Sequence, residues 1–360
     1  MIKANSIYKG TFDQIITSTS STHTEEDSNN NKNTTSEQLQ SQPQKQMQEN
    51  ESFQINIMKD QSTNNTTTTT TTITSPESVP INPTQQQHQY KPNKEPRLHP
   101  ANQEDQGYQQ ILSALTTEEK QSMVDSNLIM RHYRADKGNI EKAIQRIKYA
   151  IQWRKDFNVE NIIASVHNDE STISNEQLQL RKIIHHEGEP GKVYTRGYDK
   201  EGRAILYLYQ ARENTNNPTN NIKHLVYQIE RTIAATEKNG HEKMVLILDF
   251  ENWSIKQAPP MHVTKETIHI LQECYVERMK RVYMTNAPVM FRTFWAMVKP
   301  FIDPVTKEKI VFCSGRNARG VMEEQFDLSV MEKSAYGTEN LKPYDWKEYF
   351  DAPFDTVFDE

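Results

Sequence analysis

The chain has 360 residues, a hydrophobic content of only 34% and a formal net charge of −6. This mildly acidic balance excludes the broad basic surface of a protein that binds nucleic acid in bulk. The longest run of aliphatic residues and methionine, residues 244–248, is too short to span a bilayer, and residues 1–12 lack the apolar core of a signal peptide. We therefore expect a cytoplasmic protein whose membrane contacts are peripheral, with Cys274 and Cys313 as reduced thiols.

Asn, Gln, Ser, Thr and Pro dominate residues 18–106, which include an unbroken threonine run at 66–72. So few apolar side chains cannot offset the entropy lost when a chain becomes ordered. We predict that residues 1–107 form a disordered arm. The folded part then begins at Tyr108 and is about 250 residues long, enough for a full core.

Helical signals follow the arm. Thr116 and Glu119 have the spacing of a capping box, residues 127–134 favour a second short helix, and Asn139 is placed to cap a long amphipathic helix. The apolar residues of that long helix recur at helical spacing: Ile140, Ala143, Ile144, Ile147, Ala150 and Ile151. We predict a small helical subdomain over residues 108–168.

From residue 175 the pattern changes to apolar strands that alternate with helices, and the first two strands form a hairpin with Gly202 at the bend. The predicted strands are 193–198, 204–209, 244–248, 281–285 and 309–313, and the predicted helices are 175–184, 218–239 and 264–280. Such alternation is typical of a mostly parallel sheet covered by helices. We predict an α/β domain over residues 175–345, followed by a tail at 346–360.

The stretch between the last two strands favours an unusual helix bracketed by Pro288 and Pro300. Arg292, Ala296 and Lys299 make only a narrow stripe in an otherwise apolar circumference, whereas a core helix needs one apolar face. This helix is therefore either buried on every side or turned at times to something other than water. Its apolar residues are Met290, Phe291, Phe294, Trp295, Met297, Val298, Phe301 and Ile302.

The sequence contains no nucleotide-binding glycine motif, no G-x-S-x-G turn and no H-E-x-x-H metal motif. His185 and His186 are neighbours, and adjacent residues of a helix point to different faces, so we expect no metal there. We interpret Asp249, at the end of an apolar strand, as capping a turn with Asn252 rather than as a catalytic carboxylate. The protein is predicted not to be an enzyme and to need no cofactor or metal.

The residues YVERMKRVYMTNAP, at 275–288, and FRTFWAMVKPFIDPVTKEKI, at 291–310, resemble the signature of the CRAL-TRIO lipid-binding family, in particular its phosphatidylinositol-transfer members. Residues 128–159 resemble the helical extension that precedes this domain, and FDLSVMEKSAYGT, at 326–338, fits its closing part. The resemblance covers residues 113–338. It implies an α/β fold that encloses a lipid pocket.

The resemblance also implies that residues 289–301, the gate segment, close over the pocket and swing out at a membrane. A lid of this kind must tolerate both a cavity and a bilayer, which accounts for its apolar circumference. Tyr207 and Tyr209 are expected to line the pocket together with the gate residues. A core helix that is buried on all sides remains the alternative. The predicted gate residues are Met290, Phe291, Phe294, Trp295, Val298 and Phe301.

In phosphatidylinositol-binding members of the family, Glu, Thr and Lys side chains hold the headgroup. The matching positions here are Glu277, Thr306 and Lys309. The alternative readings are an ion pair of Glu277 with Lys280, and a Lys309 that only protects the start of a strand.

A basic pair in the helical extension also contacts the headgroup in this family. Lys137 keeps its second position, whereas Asp136 reverses the charge of the first and is expected to repel a phosphate. Met244 and Leu246 replace the Ser and Thr that hold phosphatidylcholine, which makes a choline lipid a poorer fit.

We predict a carrier that binds a single hydrophobic lipid, first of all a phosphatidylinositol-type phospholipid, and transfers it between membranes or presents it at them. Its expected partners are this lipid and, transiently, a membrane surface, but no nucleic acid, and the sequence identifies no protein partner. The alternatives are a lipid-sensing regulatory module that docks through its arm and, less favoured, a small-molecule enzyme. A sterol or isoprenoid ligand also stays open.

Overall fold

The computed structural model describes residues 105–123, residue 125 and residues 127–359. The predicted arm therefore lies almost wholly outside the described residues. Five helices open the described part: α1 (Gln106–Ala114), α2 (Thr117–Gln121), α3 (Leu128–Ala135), α4 (Ile140–Phe157) and α5 (Val159–His167). The capping box of Thr116 and Glu119 is present at α2, and the Asn139 side chain accepts from the backbone N–H of Lys142 at the start of α4. The predicted helical subdomain is confirmed in its elements.

A five-stranded sheet follows, in the order β1 (Val193–Tyr198), β2 (Ala204–Tyr209), β3 (Met244–Asp249), β4 (Met279–Thr285) and β5 (Ile310–Cys313). Strands β1 and β2 pair antiparallel, and the three remaining pairs are parallel. The helices around the sheet are α6 (Asn175–Gly188), α7 (Pro218–Lys238), α8 (Met261–Glu273), α9 (Phe291–Val298), α10 (Pro304–Glu308), α11 (Ala318–Gln325) and α12 (Trp346–Asp351). The predicted α/β class with a mostly parallel sheet is confirmed.

Two differences from the prediction matter for the site and the core. The helix expected to reach residue 280 ends at Glu273, and beyond it Glu277 has a left-handed backbone (φ 58°) that a helix cannot contain. The expected tail carries α12 and packs into the protein, with Tyr349, Phe350 and Phe358 buried. Residues 346–359 therefore belong to the fold, since aromatic side chains at these positions complete one of its cores.

Side chains alternate between the two faces of the sheet, and each face has its own core. On one face, here called the α9 face, Leu206, Leu246 and Met284 pack with side chains of α7, α8 and α9. On the other, the α12 face, Tyr207 and Ile247 pack with α11, α12 and the segment 326–335. Both faces are apolar, so the strands read as continuous apolar runs.

Candidate functional site

Helix α9 lies on the surface of the protein, above the α9 face. Phe291 and Val298 are buried, whereas Met290 is 51% and Met297 45% exposed. Beyond the helix, Phe301 is 40% exposed. The alternative of a helix buried on every side is therefore excluded. The gate segment turns one apolar side to the protein and another to solvent.

Aromatic rings make up the inner contacts of the gate segment. The ring of Phe291 lies 4.3 Å from that of Phe250 and 5.8 Å from that of Trp253, measured between centroids. Trp295 meets Phe312 of β5 edge-on at 5.3 Å, and Phe294 lies 5.6 Å from Trp253. Ring pairs are favourable over a range of centroid distances, about 4.5–7 Å, so they tolerate small shifts better than hydrogen bonds do.

Polar groups fix the two ends of the segment. At the upstream end, Asn286 has a positive φ of 54°, and its amide donates to Asp249 Oδ1 at 2.8 Å and to the carbonyl of Ser334 at 3.0 Å. At the downstream end, the backbone N–H of Asp303 donates to Gln272 Oε1 at 2.8 Å. Asp249 Oδ1 also accepts from the backbone N–H of Glu251 at 3.0 Å, so Asp249 caps the turn that contains Asn252, as predicted, and in addition holds Asn286.

Two of the predicted headgroup residues come together. Lys309 Nζ lies 3.6 Å from Glu277 Oε1, and Lys243 also binds the Glu277 carboxylate. Partial burial would raise the pKa of Glu277, but the hydrogen bond from Lys243 and the charges of Lys309 and Arg134 hold it below its usual range. Glu277 therefore pairs with these lysines rather than with Lys280.

Thr306 and Lys309 share the short helix α10. The Asp303 carboxylate caps its first turn by accepting from the Thr306 backbone N–H at 2.9 Å, and Lys309 occupies the C-cap. Thr306 is half-buried. One helix of five residues therefore joins the end of the gate segment to the cation that binds Glu277.

Arg134 and Lys243 belong to the same charged region and were not expected. Arg134 donates to Glu242 Oε2 at 2.9 Å, beside Lys243, and its charge acts on Glu277. We name Arg134, Lys243 and Lys309 the cationic cluster. No sequence pattern could have shown it, because its members come from α3, the start of β3 and the end of α10.

Lys137 and Asp136, at the two positions of the family's basic pair, have different environments. Lys137 is exposed in the loop after α3, and no contact among the described residues joins it to Glu277. The side chain of Asp136 is only 1% exposed and is held by Arg146 at 3.0 Å and Lys142 at 3.2 Å. Asp136 is therefore paired with the largely buried Arg146 and with Lys142, whose side chain is 62% exposed, which corrects the expectation that it stands ready to repel a phosphate.

Tyr207 and Tyr209 require a correction as well. They occupy alternate positions of β2 from Leu206, so their side chains lie on the α12 face, opposite the gate segment. Their hydroxyls meet groups of that face: Tyr207 donates to the Met331 sulfur at 3.5 Å, and Tyr209 accepts from the Ser334 hydroxyl at 3.3 Å. Both tyrosines are core residues and do not line a space with α9. Met244 and Leu246, in contrast, belong to the core of the α9 face.

His185 packs against the rings of Trp346 and Phe350, while His186 is exposed beside Glu189. Among residues 105–123, 125 and 127–359, no three His, Cys, Asp or Glu side chains are grouped as a metal site would require. Within the same residues, no helix combines the length and the apolar character needed to cross a bilayer.

Residues 188–337 match the model of the CRAL/TRIO domain. The chain carries a CRAL/TRIO domain. This confirms the domain inferred from the sequence, and the matched range contains the whole sheet, α9 and α10.

Curated relatives agree with the family. A CRAL-TRIO domain-containing protein of Schizosaccharomyces pombe is 36% identical over 184 residues, which cover 51% of this chain and 16% of the relative. A phosphatidylinositol transfer protein of Saccharomyces cerevisiae is 29% identical over 188 residues, covering 51% of each chain. The SEC14 cytosolic factor of Kluyveromyces lactis is 27% identical over 226 residues, covering 60% of this chain and 71% of the relative. The chain thus spans 16% and 51% of the first two relatives.

Proposed function

We propose that this chain binds one phospholipid of the phosphatidylinositol type between the α9 face and the gate segment, and carries it between membranes. The observation that carries the proposal is the gate segment itself. It is a surface helix with apolar side chains on its inner and outer sides, anchored by polar groups at its two ends. A lid that alternates between a cavity and a bilayer needs this combination.

The interior of the proposed site is suited to hydrocarbon. Leu206, Leu246, Val282 and Met284 present only apolar side chains to the core beneath α9. Transfer of each acyl methylene out of water is worth about 0.8 kcal/mol, so a two-chain lipid must be shielded to cross water. A name among the relatives, phosphatidylinositol transfer protein, agrees with this ligand class.

The cationic cluster gives the proposed site a place for a phosphate. Lys309 and Lys243 supply positive charge, Thr306 can donate through its hydroxyl, and Glu277 can accept from the ring hydroxyls of an inositol. All four side chains are polar and lie away from the apolar core beneath α9. A headgroup here would leave the acyl chains to the α9 face.

Transfer of phosphatidylinositol between donor and acceptor vesicles tests the proposal. Replacing Lys309 by Ala should lower the transfer rate about tenfold, because a charge-assisted hydrogen bond to the phosphate is lost. Lys307→Ala is the matched control, since Lys307 belongs to the same α10 helix but does not contact Glu277 among the described residues. Its rate should stay within about twofold of wild type.

Mass spectrometry of the lipids that co-purify with the full chain identifies the ligand directly. A stoichiometric inositol phospholipid is the expected result. A wild-type protein that neither loads nor moves any phospholipid would overturn the proposal, and a bound sterol or isoprenoid would replace its ligand class.

A further inference from the structure

Helix α10 has a contact at each of its ends. Its N-cap, Asp303, is where the gate segment is anchored, and its C-cap, Lys309, binds Glu277. The helix has five residues, so little more than one helical turn separates Asp303 from Lys309. The gate anchor and the cationic cluster are therefore close neighbours along the chain.

The anchor of Asp303 is the side chain of Gln272, in the last turn of α8. Its Oε1 atom accepts from the Asp303 backbone N–H at 2.8 Å. Near this bond, Lys265, also on α8, places its ammonium 4.2 Å from the centre of the Phe301 ring. Helix α8 thus holds the downstream end of the gate segment at two points, of which only the Gln272 bond is directional.

Arg146 of α4 fixes the end of α8 that carries Gln272. Its Nη2 donates to the Gln272 carbonyl at 2.9 Å and its Nε donates to Glu273 Oε2 at 2.7 Å. The remaining Nη1 donates to Asp136 Oδ1 at 3.0 Å. Asp136, Arg146 and Gln272 therefore form one chain of hydrogen bonds that ends on Asp303.

We propose that Gln272 is the positioning residue that keeps the downstream end of the gate segment closed, and that Asp136 orients it through Arg146. This inference rests on the proposed function, because it assigns a part in gating to residues that do not touch the lipid. It also gives Asp136 a role: the carboxylate holds the guanidinium that braces the last turn of α8.

The physical basis is the difference between the two kinds of contact on α9. Its ring contacts with Phe250, Trp253 and Phe312 stay favourable over a range of distances and angles. The bond from Asp303 to Gln272 has one geometry, and opening the gate must break it. Removal of the Gln272 acceptor should therefore favour the open state without disturbing either core.

Gln272→Ala in the full chain as purified is the first test, and the measured quantity is the hydrogen-exchange rate of the α9 amides. Exchange should become about fivefold faster, the loss expected for one hydrogen bond of ordinary strength. Trypsin should also cut faster after the exposed Arg292. Gln272→Glu keeps an acceptor oxygen at the same place and should restore both rates to within about twofold of wild type.

Gln257→Ala is the matched control for the loss of a hydrogen bond to a glutamine side chain. Gln257 Oε1 accepts from the Ser254 backbone N–H at 2.8 Å, so it makes the same type and length of bond just before α8. This variant should leave the exchange of α9 unchanged. If Gln272→Ala and Gln257→Ala affect α9 equally, or if neither does, the positioning role of Gln272 is refuted.

Asp136→Asn tests the upstream part of the chain of bonds. It should speed α9 exchange in the same direction as Gln272→Ala, and the two effects should not add in the double variant, because they act on one contact. An Asp136→Asn variant that changes lipid affinity but leaves α9 exchange as in wild type would refute the link through Arg146.

The lipid content of each variant separates this inference from the proposed function. Native mass spectrometry shows whether the wild-type chain carries a lipid at all. If it does not, the proposed function fails, while the exchange rates still decide whether Gln272 holds the segment. If it does and Gln272→Ala exchanges like wild type, the inference alone fails.

Discussion

The two faces of the sheet are covered in different ways. On the α12 face, Arg231 is completely buried and donates to the backbone carbonyls of Tyr349 at 2.7 Å and Pro353 at 3.3 Å. Tyr349 in turn donates to Gln228 at 2.6 Å, also in the interior. On the α9 face, the polar anchors described above lie at the ends of the gate segment, at Asn286 and Gln272, with rings between them.

This difference agrees with the proposed function, in which one face of the sheet is a scaffold and the other binds the lipid. A cover fastened by buried directional bonds along its length leaves only at the cost of unpaired polar groups. A cover fastened at its ends and otherwise apolar can move with little loss, provided that another apolar medium receives it. These contacts are those expected of a permanent core on the α12 face and, under the proposed function, of a movable cover on the α9 face.

The largest expected difference is in the free energy of unfolding, when one phenylalanine on each side of the sheet is replaced by alanine. Phe350→Ala removes a ring that is 3% exposed on the α12 face and should lower the free energy of unfolding by about 3–5 kcal/mol. Phe301→Ala removes a ring that is 40% exposed at the end of the gate segment and should cost about 1 kcal/mol or less. Urea unfolding of both variants measures this, and equal losses would contradict the proposed division between the faces.

Acid should lower the stability of the protein through protonation of His224, a buried histidine of α7. Burial first, and then the charge of Lys192, lower the pKa of His224 to about 3. The unfolded chain, with an ordinary histidine pKa of about 6.5, binds more protons between these values, so stability is lost as the pH falls below about 6.5. From pH 6.5 to pH 5 this group alone should cost about 2 kcal/mol.

Unfolding of His224→Gln at pH 7 and pH 5 checks the sign. The variant should lose less stability over this interval than wild type does. His262→Gln, a change at an exposed histidine of α8, should keep the wild-type pH dependence. If His224→Gln and wild type lose the same stability, another group carries the acid sensitivity.

The smallest effect on stability should accompany a clear effect on transfer. Met297→Asp and Val330→Asp each replace an apolar side chain that is 45% exposed, the first on α9 and the second beside the α12 face. Both should change the free energy of unfolding by about 0.5 kcal/mol or less. Vesicle transfer should fall about tenfold for Met297→Asp alone, because a charge enters the surface proposed to meet the bilayer. Equal loss in both variants would place the membrane contact elsewhere.

Much of the fold could be predicted from local patterns. The capping box at Thr116, the cap at Asn139 and the helical spacing of α4 are set by neighbours a few residues apart, and all are present. The five strands and their order of appearance also follow from short apolar runs. The errors fall where these patterns are not enough. Helix α8 ends at Glu273, short of the left-handed Glu277, and residues 346–359 join the core through aromatic partners far away in sequence.

The candidate site was only partly predictable. Sequence resemblance placed Glu277 and Lys309 in one site, and the structure brings them within 3.6 Å of each other. The sequence could not show on which face of the sheet Tyr207 and Tyr209 lie, because a continuously apolar strand has no alternation of polar and apolar residues that would distinguish the two faces. Lys243 and Arg134 were missed because their relation to Glu277 exists only after the sheet and α3 have packed.

The sequence by itself determined the family, the elements and the excess of apolar residues on the gate segment, since these depend on residue type and short spacing. The tertiary structure decided which side of that segment is buried, which face of the sheet lies beneath it and what holds its ends. It also decided the role of Asp136: its charge suggested repulsion of a phosphate, whereas folding places it against Arg146. The physical reason is that the effects of charge and burial depend on neighbours in space. Residues that are distant along the chain become such neighbours only when the chain folds.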